Sequence, residues 1–445
     1  MKITPVDYKK MNTKYWILAL ICVVSSSASA QQLLTLEEAI KIALEENYSI
    51  KVAKNEVTIA ENSTHPGKAG LLPTLDLNGN YQYGKNNTTQ QFVGQEPNEI
   101  NGAVTTSYGT SLDLGYTLFD GLGNVYNYKK LKSSLALANA QTRAEIELTI
   151  MDIISAYYGL ARAQENYRIA IEALEISKEL LQREAEEIRF GQSTRRDYLN
   201  VKVNYNTDSA SMVSTKLALA SARNNLVFLL AGNQDEVVVN TTVSLLESLD
   251  FQELMNSALE NNSQVVAGEY NKLNAEYDVK LANAVQMPQL SASASYGYNK
   301  STSDAGFLTS NQTTGLTAGL SLGFNIFDGR TKQIDRQNAK IALDNQQIRQ
   351  EELQKQTQRD FANAYATYQN NIALLGIEEN SLITAQQNFE TTQEQNRLGT
   401  VTSTEFREAQ LNLINAQFRI TDAKFLAKVA EFDVLRIAGQ LLDNL

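Results

Sequence analysis

Four stretches of this chain alternate apolar and polar residues, and two much longer ones carry apolar residues at 4-3-4-3 spacing. In the first alternating stretch Leu75, Leu77, Tyr81 and Tyr83 share one face, and Asp76, Asn78, Asn80 and Gln82 the other. In the second, Tyr108 to Leu118 alternates with Ser107, Gly109, Ser111, Asp113, Gly115 and Thr117. Two later stretches set Leu290, Ala292, Ala294, Tyr296 and Tyr298 against serines, and Leu316 to Ile326 against Thr317, Gly319, Ser321, Gly323 and Asn325. A period of two predicts strands at about 73–83, 104–119, 288–299 and 315–327. Each has roughly the length needed to cross an outer membrane, with tyrosines near the ends as in an interfacial belt. Polar segments 84–103 and 299–315 read as long hairpin loops.

The longer runs, Asn124–Phe190 and Thr331–Leu398, contain no proline. Ile146, Ile150, Ile153, Tyr157 and Leu160 form a seam in one, and Phe361, Tyr365, Tyr368, Ile372 and Leu375 in the other. That is a coiled-coil pattern, and a helix of this size reaches about 100 Å. Each run stops at a glycine, Gly191 or Gly399, and restarts as a helix over about Arg195–Leu230 or Ser403–Ala438. Opening helices are expected over about Leu36–Asn62 and Phe251–Gln286, each ending before a proline. End to end, an opening and a closing helix match the long one in length, so they can pack antiparallel along it.

These elements occur twice. Leu36-Glu37-Glu38-Ala39-Ile40 aligns with Phe251-Gln252-Glu253-Leu254-Met255 at an offset of 215, and Leu72-Pro73-Thr74-Leu75 with Met287-Pro288-Gln289-Leu290. Leu118-Phe119-Asp120-Gly121 aligns with Ile326-Phe327-Asp328-Gly329 at 208, as does Arg189-Phe190-Gly191 with Arg397-Leu398-Gly399. A tandem repeat of two structural units, 31–240 and 241–445, is expected, hence a protomer with internal pseudo-twofold symmetry.

Composition adds an address. Residues 1–30 join Lys9, Lys10 and Lys14 to the apolar stretch Tyr15–Val24 and an Ala-x-Ala end, the pattern of a secretory signal peptide cut after Ala30, with Met11 an alternative start. Cys22, the only cysteine of the sequence, lies inside it after Ile21, which is too large for a lipoprotein site. The remainder then has no thiol chemistry and relies on packing or assembly. Removing the four lysines and one aspartate of that segment takes the formal net charge from −11 to −14. Such an acidic surface argues against nucleic-acid binding.

Strands with lipid on one face cannot leave an open edge, and four strands cannot close a barrel. Copies of the chain must pool their strands, to eight, twelve or sixteen in total. The small polar opposite face implies a wet lumen, and the helices carry the duct into the periplasm on the side away from the long loops.

With its tandem repeat, paired strands, Phe-Asp-Gly strand exits and Arg-x-Gly turns, nearly the whole chain resembles the TolC-type outer-membrane efflux proteins. The resemblance implies a mainly α fold with a small transmembrane β part. It implies a homotrimer sharing a 12-stranded β-barrel, continued by a long periplasmic α-helical coiled-coil barrel. It further implies an exit duct of a tripartite efflux or type I secretion system in a Gram-negative outer membrane, opened by docking of a periplasmic adaptor (membrane fusion) protein and an inner-membrane pump of RND or ABC type. Carried over residue by residue, Phe190, Gly191, Gln192, Leu398, Gly399 and Thr400 become adaptor-facing hairpin tips. Glu405 and Glu408, with the repeat partner Asp197, become periplasmic gate candidates. Glu405 and Glu408 are three apart, so three subunits would stack two acidic rings. A local alternative exists: Thr402-x-x-Glu405 and Thr194-x-x-Asp197 are both capping-box patterns. Arg195, Arg196 and Arg407 lie nearby in sequence and are expected to neutralise these rings.

Nothing in the sequence points to catalysis, a cofactor or a metal. His65 is the only histidine and stands beside Pro66 at a helix end, and no phosphate-binding glycine loop follows a strand. A coiled-coil scaffold of the periplasm or surface, without channel activity, is the rival reading, and a free-standing porin a third. Drug, metal and protein export are not distinguished.

Overall fold

The computed structural model describes residues 33–232, 237–246, 248–305 and 308–444. The expected signal peptide, 1–30, lies outside them. In chain order the elements are β1 (Leu33–Leu34), α1 (Leu36–Glu46), α2 (Tyr48–Ser63), β2 (Thr74–Gln90), β3 (Asn98–Phe119), α3 (Gly123–Arg189) and α4 (Arg195–Leu229). The second set is β4 (Val238–Val239), α5 (Phe251–Asn261), α6 (Ser263–Ala284), β5 (Gln289–Ser303), β6 (Ser310–Gly323), α7 (Thr331–Arg397) and α8 (Ser403–Ile437).

The four long strands form one antiparallel sheet in the order β2-β3-β5-β6. Register keeps the two faces apart across all four. Leu77, Leu112, Tyr296 and Leu316 form one row, and Asp76, Asp113, Ser295 and Thr317 a row on the opposite face. Both β2 and β6 are open edges. The expected long loops are largely strand: β2 runs on to Gln90, β3 starts at Asn98, and β5 and β6 extend to Ser303 and back to Ser310. Alternation of apolar residues ends where the lipid would end, but polar cross-strand pairing continues past it. The β2–β3 hairpin rises beyond β5, which pairs with β3 only up to Thr105. At the other end, β6 stops at Gly323 rather than near residue 327.

The Phe-Asp-Gly exits turn strand into helix. Gly121 and Leu122 both take left-handed backbone, as do Gly329 and Arg330. A Cβ on Gly121 would meet the Ala284 carbonyl at 2.5 Å, so glycine is required there. The aspartates cap the long helices: Asp120 Oδ2 accepts from the Asn124 N–H at 2.7 Å, and Asp328 Oδ2 from the Lys332 N–H at 3.1 Å.

Each opening helix is broken, where one continuous helix was expected. Asn47 and Asn262, 215 apart, make the same break. The Asn47 Oδ1 accepts from the Ser49 and Ile50 N–H groups, and its amide donates to the Leu229 carbonyl at 2.8 Å. Asn262 repeats this with Gln264, Val265 and the Ile437 carbonyl at 3.0 Å. A buried side chain that caps one helix start and satisfies another helix end outweighs the helical hydrogen bonds lost.

The main core lies where α1, α5 and the ends of α4 and α8 meet the middles of α3 and α7. Ile150, Ile153, Tyr157, Leu160, Phe361 and Tyr368 of the expected seams are buried in it, with Ile146, Tyr365 and Ile372 packed at its edge. Pseudo-symmetry reaches single bonds: Tyr157 donates to the Leu34 carbonyl and Tyr365 to the Leu249 carbonyl, each at 2.9 Å. Burial raises the Tyr157 pKa, which keeps the phenol a donor.

Packing between the repeats is one-sided. Helix α3 packs against α6 and α8 of the second repeat. Its counterpart α7 has no comparable packing against α2 or α4 of the first. No described helix is long and apolar enough to cross a membrane.

Candidate functional site

At the far end of the helices the two hairpin tips lie side by side. Each turn is a Schellman motif. Gly191 has φ +73°, its N–H donates to the Ile188 carbonyl at 3.2 Å, and the Gln192 N–H donates to the Glu187 carbonyl at 2.8 Å. Gly399 has φ +71°, with N–H bonds from Gly399 to Asn396 at 3.1 Å and from Thr400 to Gln395 at 3.0 Å. Phe190 and Leu398, the residues before the glycines, are 73% and 69% exposed, so each tip presents one large apolar side chain to the surroundings.

The next helices start with capping threonines. Thr402 Oγ1 accepts from the Glu405 N–H at 3.2 Å, and Glu405 Oε2 accepts from the Thr402 N–H at 2.7 Å, a complete capping box. Thr194 Oγ1 accepts from the Asp197 N–H at 3.2 Å and donates to Asp197 Oδ2 at 2.5 Å. Glu408 is exposed, three residues on from Glu405, and has no such local bond. Thr402's backbone N–H, and then its hydroxyl, hold the Glu405 carboxyl below its usual value, and the Thr194 hydroxyl does the same for Asp197. A depressed carboxylate adds stability that is present above its unfolded pKa and lost as pH falls through the folded one. Both tips are therefore expected to stay ordered at neutral pH and to fray only in acid. Selective carboxyl-carbon NMR should show Glu405 titrating below a free glutamate peptide, and Thr402→Ala, which removes the hydroxyl but keeps the backbone N–H, should reduce that difference without abolishing it.

Of the three arginines near the tips, Arg196 meets a gate candidate and Arg407 does not. Arg196 reaches Asp197 at 3.3 Å, and Arg195 is exposed. Arg407 neutralises neither Glu405 nor Glu408. It turns into the protein, 8% exposed, and makes a bidentate pair with Asp208 of α4 at 2.6 and 2.7 Å. Position on the helix decides this: Arg407 follows Phe406 on the face that α8 buries against the first repeat.

Sequence reasoning missed Glu184. It is 4% exposed and accepts from Ser193 of one tip and from Ser403 of the other, at 3.3 Å for the second. Arg183 joins the tips again through Asn396 at 3.0 Å. Between them lies a cavity of about 770 Å³ lined by residues of both turns, Gly191 and Gly399 included. Only differences between the repeats hint at these partners: Glu184 aligns with Thr392 and Asp208 with Ala416. His65 is exposed and accepts from the Gly67 N–H through Nδ1 at 3.1 Å. No group of three potential metal ligands occurs among the described residues.

A sheet apolar on one face and polar on the other, open at both edges and continued by two 67-residue helices, defines the subunit of an outer-membrane channel. The chain belongs to the outer membrane efflux protein family, whose profile matches residues 39–232 and 254–440, one match per repeat. It is 20% identical to outer membrane efflux protein BepC of Brucella suis over 412 residues, 92% of this chain and 86% of that one. Protein CyaE of Bordetella pertussis is 22% identical over 344 residues, 75% of this chain and 69% of that one. Among solved structures, the CmeC outer membrane channel of Campylobacter jejuni superposes with a TM-score of 0.75 at 17% identity, covering 91% of this chain and 86% of that one. The protein is thus an outer-membrane efflux channel component with a periplasmic helical extension.

Proposed function

We propose that three copies of this chain close one duct, a 12-stranded barrel continued by a helical barrel, which exports solutes or polypeptides when a periplasmic adaptor and an inner-membrane pump dock on the hairpin tips. The observation that carries this is the one-sided packing of the repeats. Pseudo-symmetry asks that α7 pack as α3 does, and that β6 be paired as β3 is with β5. Within one chain neither demand is met, so a neighbouring copy supplies α2, α4 and β2. An open strand edge in hydrocarbon costs several kcal/mol per unpaired group, which forces closure. The family resemblance supports three as the number.

Phe190 and Leu398 are the contacts through which an adaptor would hold the tips, set by the turns Gly191-Gln192 and Gly399-Thr400. Glu405, Glu408 and Asp197 form the gate candidates, and Glu408, free of a capping duty, contributes charge to the passage rather than to the helix start. Energy comes from the pump in this reading, which the sequence supports in that no phosphate-binding glycine loop follows a strand.

Two measurements test the reading. Light scattering in detergent should give the mass of three chains, with heat-modifiable migration in gels. A water-soluble monomer would favour the coiled-coil scaffold instead. In planar bilayers Glu405→Ala combined with Glu408→Ala should raise closed-state conductance and weaken cation preference. Unchanged conductance and blocker sensitivity would remove these residues from the gate.

A further inference from the structure

Just below the sheet the chain reverses the sign of its charge. The first twenty residues of α3, 123–142, hold Lys129, Lys130 and Lys132 and no carboxylate, whereas 143–189 hold six basic and ten acidic residues. Lys130 pairs with Asp278 of α6. Lys129 and Lys132 are exposed, and among the described residues neither has a carboxylate partner. Lys132 stands over the Tyr128 ring at 4.5 Å. In the second repeat, at the offset of 208, Lys340 aligns with Lys132 and Arg336 with Tyr128.

The heptad register fixes the direction in which these lysines face. Counting back by fours and threes from Tyr157 through Ile146 leads to Lys132 and Lys129, and the same count from Phe361 on α7 leads to Lys340. In the middle of α3 this stripe is covered by α1 and the short strands: Tyr157 donates to the Leu34 carbonyl, and Gln164 exchanges two bonds with Val239. Inside the ring proposed above, on which this inference rests, such a cover would plug the duct, so the stripe faces outward. The opposite face of α3 is polar, with Ser134, Gln141, Glu145, Asp152 and Ser155, as a wet lumen requires.

The outward lysines lie close to the membrane. Lys129 and Lys132 follow the start of α3 by about 9 and 14 Å, and Lys340 follows the start of α7 by about 14 Å. Side chains on a helix lean toward its N-terminus, which for α3 and α7 is the membrane end. The polar layer of a bilayer extends about 5–8 Å beyond the hydrocarbon, and a lysine stem snorkels toward it. We propose that Lys129, Lys132 and Lys340 form an outward basic collar that holds anionic phospholipid, such as phosphatidylglycerol, in the periplasmic leaflet around the duct. The phosphodiester oxygens accept from the ammonium groups, with Tyr128 beside them as an interfacial ring. The collar selects the lipid at the foot of the barrel and fixes the depth at which the barrel sits.

Spin-labelled lipids test this. Electron paramagnetic resonance measures how strongly labelled phosphatidylglycerol and labelled phosphatidylcholine associate with the protein reconstituted in phosphatidylcholine vesicles. The parent is expected to prefer phosphatidylglycerol by about fivefold in low salt, the worth of one lysine at an anionic surface, and to lose most of that preference in molar potassium chloride. Lys129→Gln, Lys132→Gln and Lys340→Gln together should bring the preference close to unity. Removing the same charge far from the sheet, by Lys178→Gln, Lys202→Gln and Lys216→Gln, should leave it intact. Equal preference in the parent and the collar variant, or equal loss in both variants, overturns the collar. So does binding of peptidoglycan sacculi that the collar variant loses, with no lipid preference in the parent, since the lysines would then serve another partner. A chain that does not enter vesicles as a heat-modifiable oligomer defeats the channel reading and the collar with it, a result distinguishable from insertion without lipid preference.

Discussion

Asp208→Ala is expected to destabilise the folded subunit by about 3–5 kcal/mol, the cost of leaving one member of a buried ion pair without its partner. Arg407 sends both terminal nitrogens to Asp208, and its Nε already lacks a partner. Alanine would leave a guanidinium in a site closed by Phe406 and Leu413, with only Gln410 and Ser177 to accept from it. The apparent melting temperature of the detergent-solubilised protein, followed by loss of heat-modifiable migration, measures the effect. Asp208→Leu with Arg407→Leu should recover most of the loss, because replacing both charges by apolar groups removes the desolvation cost as well as the bond. A single variant that melts with the parent would show that water reaches this seam.

Leu316→Arg is expected to cost about 2–4 kcal/mol in a bilayer, whereas Thr317→Arg, one residue along the same strand, should be tolerated. Leu316 ends the row Leu77, Leu112, Tyr296 and Leu316; Thr317 ends the row Asp76, Asp113, Ser295 and Thr317 on the other face. Both are exposed in a single chain, Leu316 at 71%, so in a soluble sheet either change would stay within about 0.5 kcal/mol. Lipid on one face is what separates them. Unfolding of the two variants by urea from lipid vesicles measures the difference, and equal midpoints would mean that the Leu316 face does not meet hydrocarbon.

Period-based reading located the long elements well, because periodicity records which face is buried whatever buries it. Helices α3 and α7 begin and end within a residue of expectation, and the glycine turns and capping threonines sit where their local chemistry puts them. Strand ends were poorly legible. Apolar alternation marks the lipid band, while pairing above it depends on cross-strand partners such as Asn86 with Ala103. The breaks at Asn47 and Asn262 were missed because an asparagine in an otherwise helical run becomes a cap only when the end of another helix arrives beside it.

The repeat, the two periodicities and the turn glycines were determined by sequence alone: they are local properties, each readable from a residue and its near neighbours. Which carboxylate meets which arginine was decided only by tertiary structure. Arg407 lies two residues from Glu405 yet pairs with Asp208, 199 positions away. A charge takes its partner from what packs against its helix face, and proximity in the chain says nothing about that face until the second repeat is laid against the first.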